Sequence, residues 1–426
     1  MNGGRIARAG YATLLRGLTP VYLARLWWRG RRERAYRHAI PERLGVYADP
    51  KPQPGALWLH AVSLGETRAA APLIDALRAH RPGLRLLLTH STATGREAGV
   101  PLLQPGDVQA WLPYDTPGAV RRFLRHFRPA LGVLMETEVW PVLLIGAQQA
   151  GVPMVLANAR LSMKSLRKGL RLKRLLQPAV NSLAAVLAQT ESDAQRLRAV
   201  GAPSVQVCGN LKFDMTPPPE LLAQGQGWRA VAARPVVLGA STREGEEAAL
   251  LAAWRALPSP RPLLLVVPRH PQRFDEVAQL VQQAGFTLAR RSSWSASPTA
   301  EALQANVWLG DSMGEMPLYA AMADVALLGG SFEPLGGQNL IEAAACGCPV
   351  VMGPHTFNFA EAAELALAAG AAERVNDLPQ GVRRAAALAG DAAQATWAQR
   401  ALAFAQAHRG ATERMASRVL ELLPMH

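Results

Sequence analysis

Short apolar runs alternate with amphipathic helical stretches along most of this 426-residue sequence. The first runs fill residues 56–210, from ALWLHAVSL to SVQVCGN. Runs that are apolar throughout are typical of strands buried on both faces of a parallel sheet. The stretches between them have the period of crossover helices, and the one after Gly65 has a single apolar face formed by Ala70, Leu73, Ile74 and Leu77. The alternation therefore predicts an α/β fold with helices on both sides of a mostly parallel sheet.

The alternation stops at FDMTPPPELLAQGQGWRA, residues 213–230, and then resumes. This segment is rich in proline and glycine, which is typical of a linker between domains. Further strand-like runs follow it, from RPVVLGAST to CPVVMGP. We therefore expect two doubly wound domains, with a cleft bordered by the carboxyl ends of both sets of strands. The predicted divisions are a basic leader at 1–46, a first α/β domain at 47–215, a linker at 216–230, a second α/β domain at 231–395 and a C-terminal helix at 396–426 that packs back on the first domain.

The net charge of +14 indicates an anionic partner such as nucleic acid, membrane or a phosphorylated substrate. Two basic blocks carry much of it, one between Arg5 and Arg43 and one at ARLSMKSLRKGLRLKRLLQ, residues 159–177, which has no carboxylate. The sequence shows neither zinc-ligand spacing nor an aromatic-rich RNA-reading strand, so no metal and no nucleic acid are expected. The three cysteines make no paired motif and are expected to be structural residues of a reduced, intracellular protein.

The leader contains an apolar segment, GYATLLRGLTPVYLARLWW, that is interrupted by Arg16, Pro20 and Arg25. A spanning helix needs about 20 uninterrupted apolar residues, which this segment lacks. Leucine, tyrosine and tryptophan beside arginines instead suit a helix that lies on an anionic membrane surface. The alternative is a surface helix packed on its own domain.

Residues 310–359 carry two glycine-rich turns. Gly310 to Glu315 follow a predicted strand into a predicted helix, whose free backbone N–H groups would face an anion. The pair Gly336-Gly337 precedes a second helix start, where Glu342 would accept hydrogen bonds from ribose hydroxyls. Together the two turns resemble a nucleotide-phosphate cradle, whereas either one alone is equally typical of a tight connection.

Two other predicted strands also end in polar residues. Arg269 and His270 follow one strand, and Ser241, Thr242 and Arg243 end another. Because parallel strands share their carboxyl edge, all four turns are expected on one rim of the sheet. A lone histidine is more often structural, but the neighbouring arginine favours phosphate binding.

Five further segments accompany the block 310–359 along the chain: LHAVSLGE (59–66), METEVWP (135–141), NARLS (158–162), GNLKFD (209–214) and PRHPQRF (268–274). Together they resemble the Kdo transferases, inverting glycosyltransferases that transfer 3-deoxy-D-manno-octulosonic acid (Kdo) from CMP-Kdo to the lipid A precursor. The resemblance covers nearly the whole chain, in order, and implies the two-domain GT-B fold.

The resemblance implies that Glu66 is the general base that deprotonates the acceptor hydroxyl. The first turn of a helix suits this role, because the helix dipole and nearby N–H groups favour the charged carboxylate. The resemblance implies transition-state roles for Glu136 and Lys212. A carboxylate stabilises the positive charge of an oxocarbenium-like sugar, and an ammonium stabilises the negative charge on the leaving phosphate. Otherwise Glu136 is an ion-pair residue and Lys212 a solvated loop lysine.

The predicted CMP-Kdo site combines the strand-end residues with positions that match the family's motifs. Its members are Ser241, Thr242, Arg243, Arg269, His270, Ser312, Met313, Gly314, Glu315, Gly337, Asn339, Leu340, Ile341 and Glu342. The chain departs from many relatives at Gln338 and Ala343, where they have histidine and proline. No cofactor is expected, because a GT-B enzyme needs no ion to hold the leaving phosphate.

The resemblance also predicts a function for the second basic block. Arg160, Lys164, Arg167 and Lys168 are predicted to bind the acceptor's phosphates, while the interleaved leucines lie against acyl chains or the core. Otherwise the block is an amphipathic helix with a solvated basic face. We expect an enzyme on the anionic surface of the inner membrane, at its cytoplasmic face.

Two rival functions remain. Sugar-nucleotide epimerases share the fold, because fold alone does not fix function. They need no lipid surface, so the two basic blocks count against them. A non-catalytic membrane- or nucleic-acid-binding protein would not require Glu66, Glu136 and Lys212 at the ends of elements.

Overall fold

The computed structural model describes residues 2–31, 33–48 and 52–424, so that Arg32 of the basic leader lies outside the described residues. The chain forms two compact units. Unit 1 comprises the described residues up to Asp214 together with those from Arg409 onward, and unit 2 is Met215–His408. Each unit is built on a seven-stranded parallel sheet, so the predicted α/β class is confirmed.

Unit 1 contains the predicted strands in the predicted order along the chain. They are β1 (Leu57–His60), β2 (Leu86–His90), β3 (Val108–Trp111), β4 (Leu131–Met135), β5 (Met154–Ala159), β6 (Ala185–Ala188) and β7 (Val205–Val207). In the sheet they lie in the order β3-β2-β1-β4-β5-β6-β7, all parallel. All residues of β1, β2, β4, β5 and β6 are buried, as continuous apolar runs predict.

The helices of unit 1 cover both faces of this sheet. The first are α1 (Asn2–Arg29), α2 (Leu64–His80), α3 (Ala93–Gly99), α4 (Pro117–Phe127), α5 (Pro141–Gln149), α6 (Met163–Arg171), α7 (Lys173–Val180) and α8 (Glu191–Ala199). Short 3₁₀ helices occupy Arg34–Arg37, Ile40–Leu44, Val100–Leu102 and Leu211–Asp214. Successive side chains of β1 point to opposite faces of the sheet, and each face has its own hydrophobic core cluster. Trp58 packs in one cluster, while Leu57 and Leu59 pack in the other.

Unit 2 repeats the architecture. Its strands are β8 (Val236–Thr242), β9 (Leu263–Pro268), β10 (Leu288–Arg290), β11 (Val307–Leu309), β12 (Val325–Leu328), β13 (Val350–Met352) and β14 (Ala372–Arg374). They lie parallel in the order β10-β11-β9-β8-β12-β13-β14. The helices are α9 (Pro219–Ala232), α10 (Glu246–Arg255), α11 (Phe274–Gln283), α12 (Ala300–Gln304), α13 (Met316–Met322), α14 (Leu340–Ala345), α15 (Ala360–Ala368), α16 (Leu378–Ala389) and α17 (Gln394–Ala407), with 3₁₀ helices at Pro271–Arg273 and Arg291–Ser293.

The segment that we interpreted as a linker is largely helix α9. Its proline lies at the first helical position, where a missing N–H costs nothing. Its Gly225 is a close-packing residue, since a Cβ there would clash with the carbonyl oxygen of Leu318. Trp228 is buried, with its ring centroid 5.8 Å from that of Trp294. Proline and glycine therefore mark a packed helix here.

The C-terminal stretch, expected as one helix, is two helices. After α17, α18 (Ala411–Leu422) returns to unit 1 and contributes Met415 and Val419 to the core cluster that contains Leu73 of α2. Asp214 caps the start of α18, because its carboxylate accepts hydrogen bonds from the backbone N–H groups of Gly410 (2.6 Å) and Thr412.

Helix α1 has many exposed apolar side chains and no acidic residue. Ile6, Val21 and Trp28 are each more than 60% exposed. The helix contacts α5 and α7 of its own unit, with Ala12 buried. Within residues 2–31, 33–48 and 52–424, no helix combines the length and apolarity that crossing a bilayer requires.

Candidate functional site

Glu66 and Glu136 flank the point where the strand order of unit 1 reverses. β1 and β4 are neighbours in the sheet, with β2 and β3 on one side and β5 to β7 on the other. Glu66 lies in the helix that follows β1, and Glu136 follows β4 directly. Ligands of open α/β sheets bind at the carboxyl ends of the strands at such a switch point. The topology therefore singles out this edge as a candidate site.

Glu66 lies in the first turn of α2, where its carboxylate folds back onto the chain. Its Oε2 accepts a hydrogen bond from the backbone N–H of Val62 (2.8 Å), and its Oε1 accepts one from the hydroxyl of Ser63 (3.2 Å). Burial raises the pKa of Glu66 to about 7, with further contributions from the charges of Glu136 and Glu138. Our expectation that the helix start would favour the charged form is thus wrong in direction, because desolvation outweighs the hydrogen bonds.

Glu136 is buried between two cations. Its Oε2 lies 3.2 Å from Nε of Arg160, and its Oε1 lies 4.0 Å from Nζ of Lys212. Its backbone adopts φ of +58°, a conformation that is uncommon outside glycine and that clusters at functional sites. The nearby Glu138 accepts a hydrogen bond from the indole N–H of Trp140 (2.7 Å). Burial raises the pKa of Glu138, and the charge of Glu136 adds to this effect.

Lys212 lies in a 3₁₀ turn beyond β7, and its pKa is lowered by burial despite the opposing charge of Glu136. Polar side chains from three neighbouring strand ends hold this turn. Asn158 Oδ1 accepts from the backbone N–H of Leu211 (3.2 Å), and Asn210 Oδ1 accepts from that of Lys212 (3.0 Å). Gln189 links the two, because it donates to the carbonyl of Asn158 and accepts from the amide of Asn210.

Sequence reasoning did not assign a role to Asn158, Gln189 or Asn210. Asn158 is fully buried, has φ of +51°, and its Nδ2 has no hydrogen-bond partner among the described residues. The signal available in the sequence was an asparagine inside an otherwise apolar strand, VPMVLANA. Asparagine tolerates the left-handed conformation better than most residues, so this position suits its chemistry.

The four residues predicted to bind acceptor phosphates have two different surroundings. Arg160 pairs with Glu136 at the edge of the sheet, whereas Lys164, Arg167 and Lys168 lie exposed on α6. The three α6 residues have the three- and four-residue spacing of one helix face. Arg160 thus belongs to the charged cluster of Glu66, Glu136 and Lys212.

In unit 2, the four predicted turns follow four consecutive strands of the sheet, β11-β9-β8-β12. Ser241 has φ of +56° at a bulge near the end of β8, and Arg269 donates its backbone N–H to the carbonyl of Thr242 (2.9 Å). His270 comes next on the chain, and its pKa is lowered by burial and by the charges of Arg243 and Arg269. The strand order therefore brings Ser241 to Arg243, Arg269 and His270 to one edge.

Glu246 joins two of these turns, and sequence reasoning did not identify it. It is buried, and its carboxylate accepts hydrogen bonds from the backbone N–H of Gly330 (2.8 Å) and of Arg243 (2.9 Å). Burial raises the pKa of Glu246, against the effect of these bonds. The adjacent Glu247 pairs with Arg273 at 2.7 Å. A carboxylate thus holds the loop after β12 against the loop after β8.

The turn from Gly310 to Glu315 leads into α13, which begins at Met316. Met313 is 61% exposed, and Gly314 has φ of +82°. Glu315 is engaged within the unit, since it accepts from the hydroxyl of Ser312 (2.5 Å) and pairs with Arg291 (2.8 Å). Burial alone would raise the pKa of Glu315, but these partners hold it below its ordinary value.

The second glycine turn precedes α14. Gly336 and Gly337 both have positive φ, and Asn339 caps the helix by accepting from the backbone N–H of Ile341 (3.2 Å). The side chains of Leu340 and Ile341 are fully buried, which leaves Asn339 and the half-buried Glu342 as the side chains at this helix start that reach the surface. Among residues 2–31, 33–48 and 52–424, no group of three or more histidine, cysteine or acidic side chains is arranged to hold a metal ion.

Comparisons with known proteins identify the family. A family model described as 3-deoxy-D-manno-octulosonic-acid transferase (kdotransferase) matches residues 38–215. The 3-deoxy-D-manno-octulosonic acid transferase of Bordetella pertussis is 48% identical over 423 residues, which cover 96% of this chain and 98% of the relative. That of Haemophilus influenzae is 35% identical over 384 residues, 88% of each chain.

A solved structure gives an independent view of the fold. The structure of Anabaena HepE in complex with UDP matches with a TM-score of 0.57 at 18% identity, over 86% of this chain and 99% of that one. At this identity the likeness concerns the fold alone, and it agrees with the predicted GT-B class. Because the sequence relatives span nearly the whole chain, this protein belongs to the 3-deoxy-D-manno-octulosonic acid transferase family of GT-B glycosyltransferases.

Proposed function

We propose that this protein transfers Kdo from CMP-Kdo to the lipid A precursor in lipopolysaccharide biosynthesis. The observation that carries the proposal is the charged cluster of Glu66, Glu136, Arg160 and Lys212 at the switch point of unit 1, in a chain 48% identical to a 3-deoxy-D-manno-octulosonic acid transferase. An isolated ion pair would not require a second carboxylate with its pKa raised to about 7 beside it.

Glu66 is the proposed general base. The acceptor hydroxyl oxygen attacks the anomeric carbon of Kdo, its proton passes to Glu66, and the bond from that carbon to the phosphate oxygen breaks to release CMP. A general base is most effective when its pKa lies near the working pH, which agrees with the value of about 7. One displacement of this kind inverts the anomeric centre.

Glu136 and Lys212 are proposed to stabilise the transition state. Charge on the sugar becomes positive as the bond to phosphate lengthens, and a fixed carboxylate lowers the energy of that state. Lys212 supplies an ammonium group that stabilises the negative charge on the leaving phosphate. Because Asn158 and Asn210 fix the backbone around Lys212, the side chain is held before the substrate arrives.

CMP-Kdo is proposed to bind at the carboxyl edge of the unit 2 sheet. The residues that we propose for it are the predicted set from Ser241 to Glu342, of which Arg243, Arg269 and His270 are suited to phosphate and Glu342 to ribose hydroxyls. The contiguous strand order and the open turn at Gly314 support this placement. The buried Leu340 and Ile341 would contribute backbone groups only.

The membrane association is also a proposal, with the cytoplasmic face of the inner membrane as the location. It is supported by α1, which combines exposed Ile6, Val21 and Trp28 with arginines and no acid, and which contacts the basic α7. Such a composition suits a helix that lies on anionic lipid.

The test is release of CMP by the purified full-length chain given CMP-Kdo, with and without a tetraacylated lipid A precursor. We expect acceptor-dependent release from wild type and a roughly 10²- to 10⁴-fold lower kcat for Glu66→Gln, as removal of a general base predicts. Glu97→Gln, an exposed glutamate on α3, is the matched control. No release from wild type would refute the reaction, and an unchanged rate in Glu66→Gln would refute the assignment of the base.

A further inference from the structure

An apolar cavity of about 260 Å³ lies beside α6 and α7 in unit 1. Its lining includes the buried core side chains Leu156, Leu183 and Leu197, and the exposed side chains of Leu170 and Leu172. Because exposed side chains line it, the cavity is open at the surface, and an open apolar concavity is typical of a binding site. It is slightly smaller than the ~300–1,000 Å³ typical of ligand pockets, which suits a segment of a flexible chain.

Helix α6 leaves its apolar residues incompletely covered. None of its residues is buried, and Met163, Leu170 and the following Leu172 are each more than 40% exposed. A surface helix ordinarily buries its apolar stripe against the core. Here the cavity lies where that packing would be, so a hydrocarbon ligand would complete the contact.

The mouth of the cavity is cationic. Lys168 and Lys173 are part of the lining, and residues 160–174 contain no carboxylate. Lysine side chains can cover apolar surface with their stems while the charge remains in water. An apolar interior with a positive rim is complementary to an amphiphile that has a hydrocarbon chain and an anionic headgroup.

The cavity is continuous along the chain with the candidate site. Thr137 and Leu161 belong to its lining, and they directly follow Glu136 and Arg160 on the chain. A molecule whose chain entered the cavity would therefore carry its headgroup toward the charged cluster. This continuity favours the substrate over bulk membrane lipid as the occupant.

We infer that the cavity binds one acyl chain of the phosphorylated acceptor, an inference that rests on the proposed function. The subsite would select acceptors by the length of that chain and hold the sugar beside Glu136. Each methylene that leaves water contributes about 0.8 kcal/mol, which is about fourfold in affinity. Loss of a few methylene contacts therefore raises the acceptor KM by tenfold or more.

Gly169 offers a matched pair of variants. It lines the cavity, and a Cβ added there would meet Leu176 Cδ1 at 3.9 Å, an ordinary contact. Gly169→Ala keeps the cavity open, whereas Gly169→Trp fills it from an exposed helix rather than from the core. Gly169→Leu replaces the tryptophan variant if that variant loses its cooperative thermal transition.

The first experiment uses dodecyl phosphate with a diazirine at the end of its chain, photo-crosslinked to the full-length protein and mapped by mass spectrometry. This experiment does not depend on transfer activity. We expect labelling of α6, α7 and α8 in wild type and Gly169→Ala, and its loss in Gly169→Trp. Labelling that is confined to α1 or unaffected by Gly169→Trp would overturn the inference. Competition by the tetraacylated acceptor supports it, while competition by phosphatidylglycerol alone would assign the cavity to membrane lipid and overturn it.

The second experiment is transfer kinetics, which separates this inference from the proposed function. We expect Gly169→Trp to raise the KM for the tetraacylated acceptor at least tenfold, with kcat and the KM for CMP-Kdo within threefold of Gly169→Ala. An unchanged acceptor KM would refute the acyl subsite and leave the transferase standing. Absence of transfer in wild type would refute the transferase, and the crosslinking result would still decide whether the cavity takes a chain.

Discussion

Glu136 and Arg160 form an ion pair across the ends of two neighbouring strands, with Oε2 of the carboxylate 3.2 Å from Nε of the guanidinium. The second oxygen of Glu136 lies 4.0 Å from the ammonium of Lys212. One buried carboxylate therefore separates two cations. The charge of Glu136 contributes to the pKa of both Glu66 and Lys212, so a change at Glu136 is expected to alter the protonation of these two groups.

Replacement of Glu136 by glutamine is expected to lower the pKa of Lys212 further. Burial already lowers this pKa, and the charge of Glu136 is the largest effect that opposes it. If the ammonium is needed, the alkaline limb of the kcat profile moves to lower pH, and kcat falls about 10²- to 10³-fold. The measurement is kcat against pH for wild type and Glu136→Gln. Glu138→Gln is the control, and an equal movement of its alkaline limb would contradict this account.

Replacement of Ser63 by alanine is expected to raise the pKa of Glu66 above about 7. The hydroxyl of Ser63 donates to the charged carboxylate, so its loss favours the protonated form. A base must be ionised, and the acid limb of the kcat profile therefore moves to higher pH. Ser63 also caps α2, which adds a stability cost of about 1 kcal/mol.

Thr299→Ala separates these two effects, because it removes the cap of α12 in unit 2. Its thermal midpoint is expected to fall without movement of the acid limb. If the limb moved equally in both variants, the shift in Ser63→Ala would reflect stability and not the carboxylate.

Asn158 is expected to act on Lys212 through the backbone of Leu211. Asn158→Ala and Asn158→Gly both remove the hydrogen bond to that N–H group, at a cost of about 1–3 kcal/mol, and both should lower kcat equally. Glycine accepts the φ of +51° freely, so the glycine variant is expected to be about 1 kcal/mol more stable than the alanine variant. Denaturant unfolding and kcat are measured together. A kcat that followed stability rather than the lost bond would argue against a positioning role.

Glu246→Gln is expected to weaken CMP-Kdo binding. Oε2 of Glu246 accepts from both N–H groups and Oε1 accepts from Gly330 as well, so glutamine, with one acceptor oxygen, loses at least one of these three bonds and sets an NH₂ group against a backbone N–H. A loss of about 1.4 kcal/mol corresponds to a tenfold higher KM for CMP-Kdo, with the acceptor KM unchanged. Glu244→Gln, an exposed neighbour, serves as the control. Equal donor KM values in both variants would show that the loop does not depend on this carboxylate.

Trp28→Ala is expected to reduce binding to anionic membrane. Trp28 is 67% exposed on α1, and burial of a large apolar side chain contributes about 1.5–3 kcal/mol, which is tenfold or more in affinity. Flotation with phosphatidylcholine vesicles, with and without phosphatidylglycerol, measures the effect. Val100→Ala, a 56% exposed residue elsewhere on unit 1, should bind as wild type does.

The strands of the two sheets could be predicted from the sequence because each buried strand leaves its own local pattern there. Residues of β1, β4 and β5 are buried along their whole length, and burial on both faces leaves a continuous apolar run in the sequence. β14 was missed because it has three residues, one of which is the exposed Arg374. Helix α9 was missed because glycine in a sequence usually indicates a break. Gly225 instead lies inside the helix, at a point where the carbonyl oxygen of Leu318 leaves no space for a side chain.

The chemistry of the candidate site could be predicted only in part, because protonation depends on residues far apart in sequence. The helix start at Glu66 is local and was predicted, whereas the charges of Glu136 and Glu138, which add to the rise of its pKa, come from another strand end. The same limit applies to Arg160, whose partner lies on the neighbouring strand. Glu246 and Asn158 act through backbone groups of other loops. The asparagine in VPMVLANA marks its own position as unusual, but the sequence does not indicate which loop either residue contacts.

Unit 1 is interrupted in sequence, and this has a consequence during synthesis. Helix α18 covers α2 with Met415 and Val419, yet the ribosome makes it only after all of unit 2. At ~5–20 residues per second, the synthesis of α18 is complete roughly 17–70 s after that of α2. During that interval the apolar face of the nascent first unit is open to chaperones or to misassembly. The carboxylate of Asp214 accepts hydrogen bonds from the N–H groups that begin α18, so unit 1 can be completed only after all of unit 2 has been synthesised.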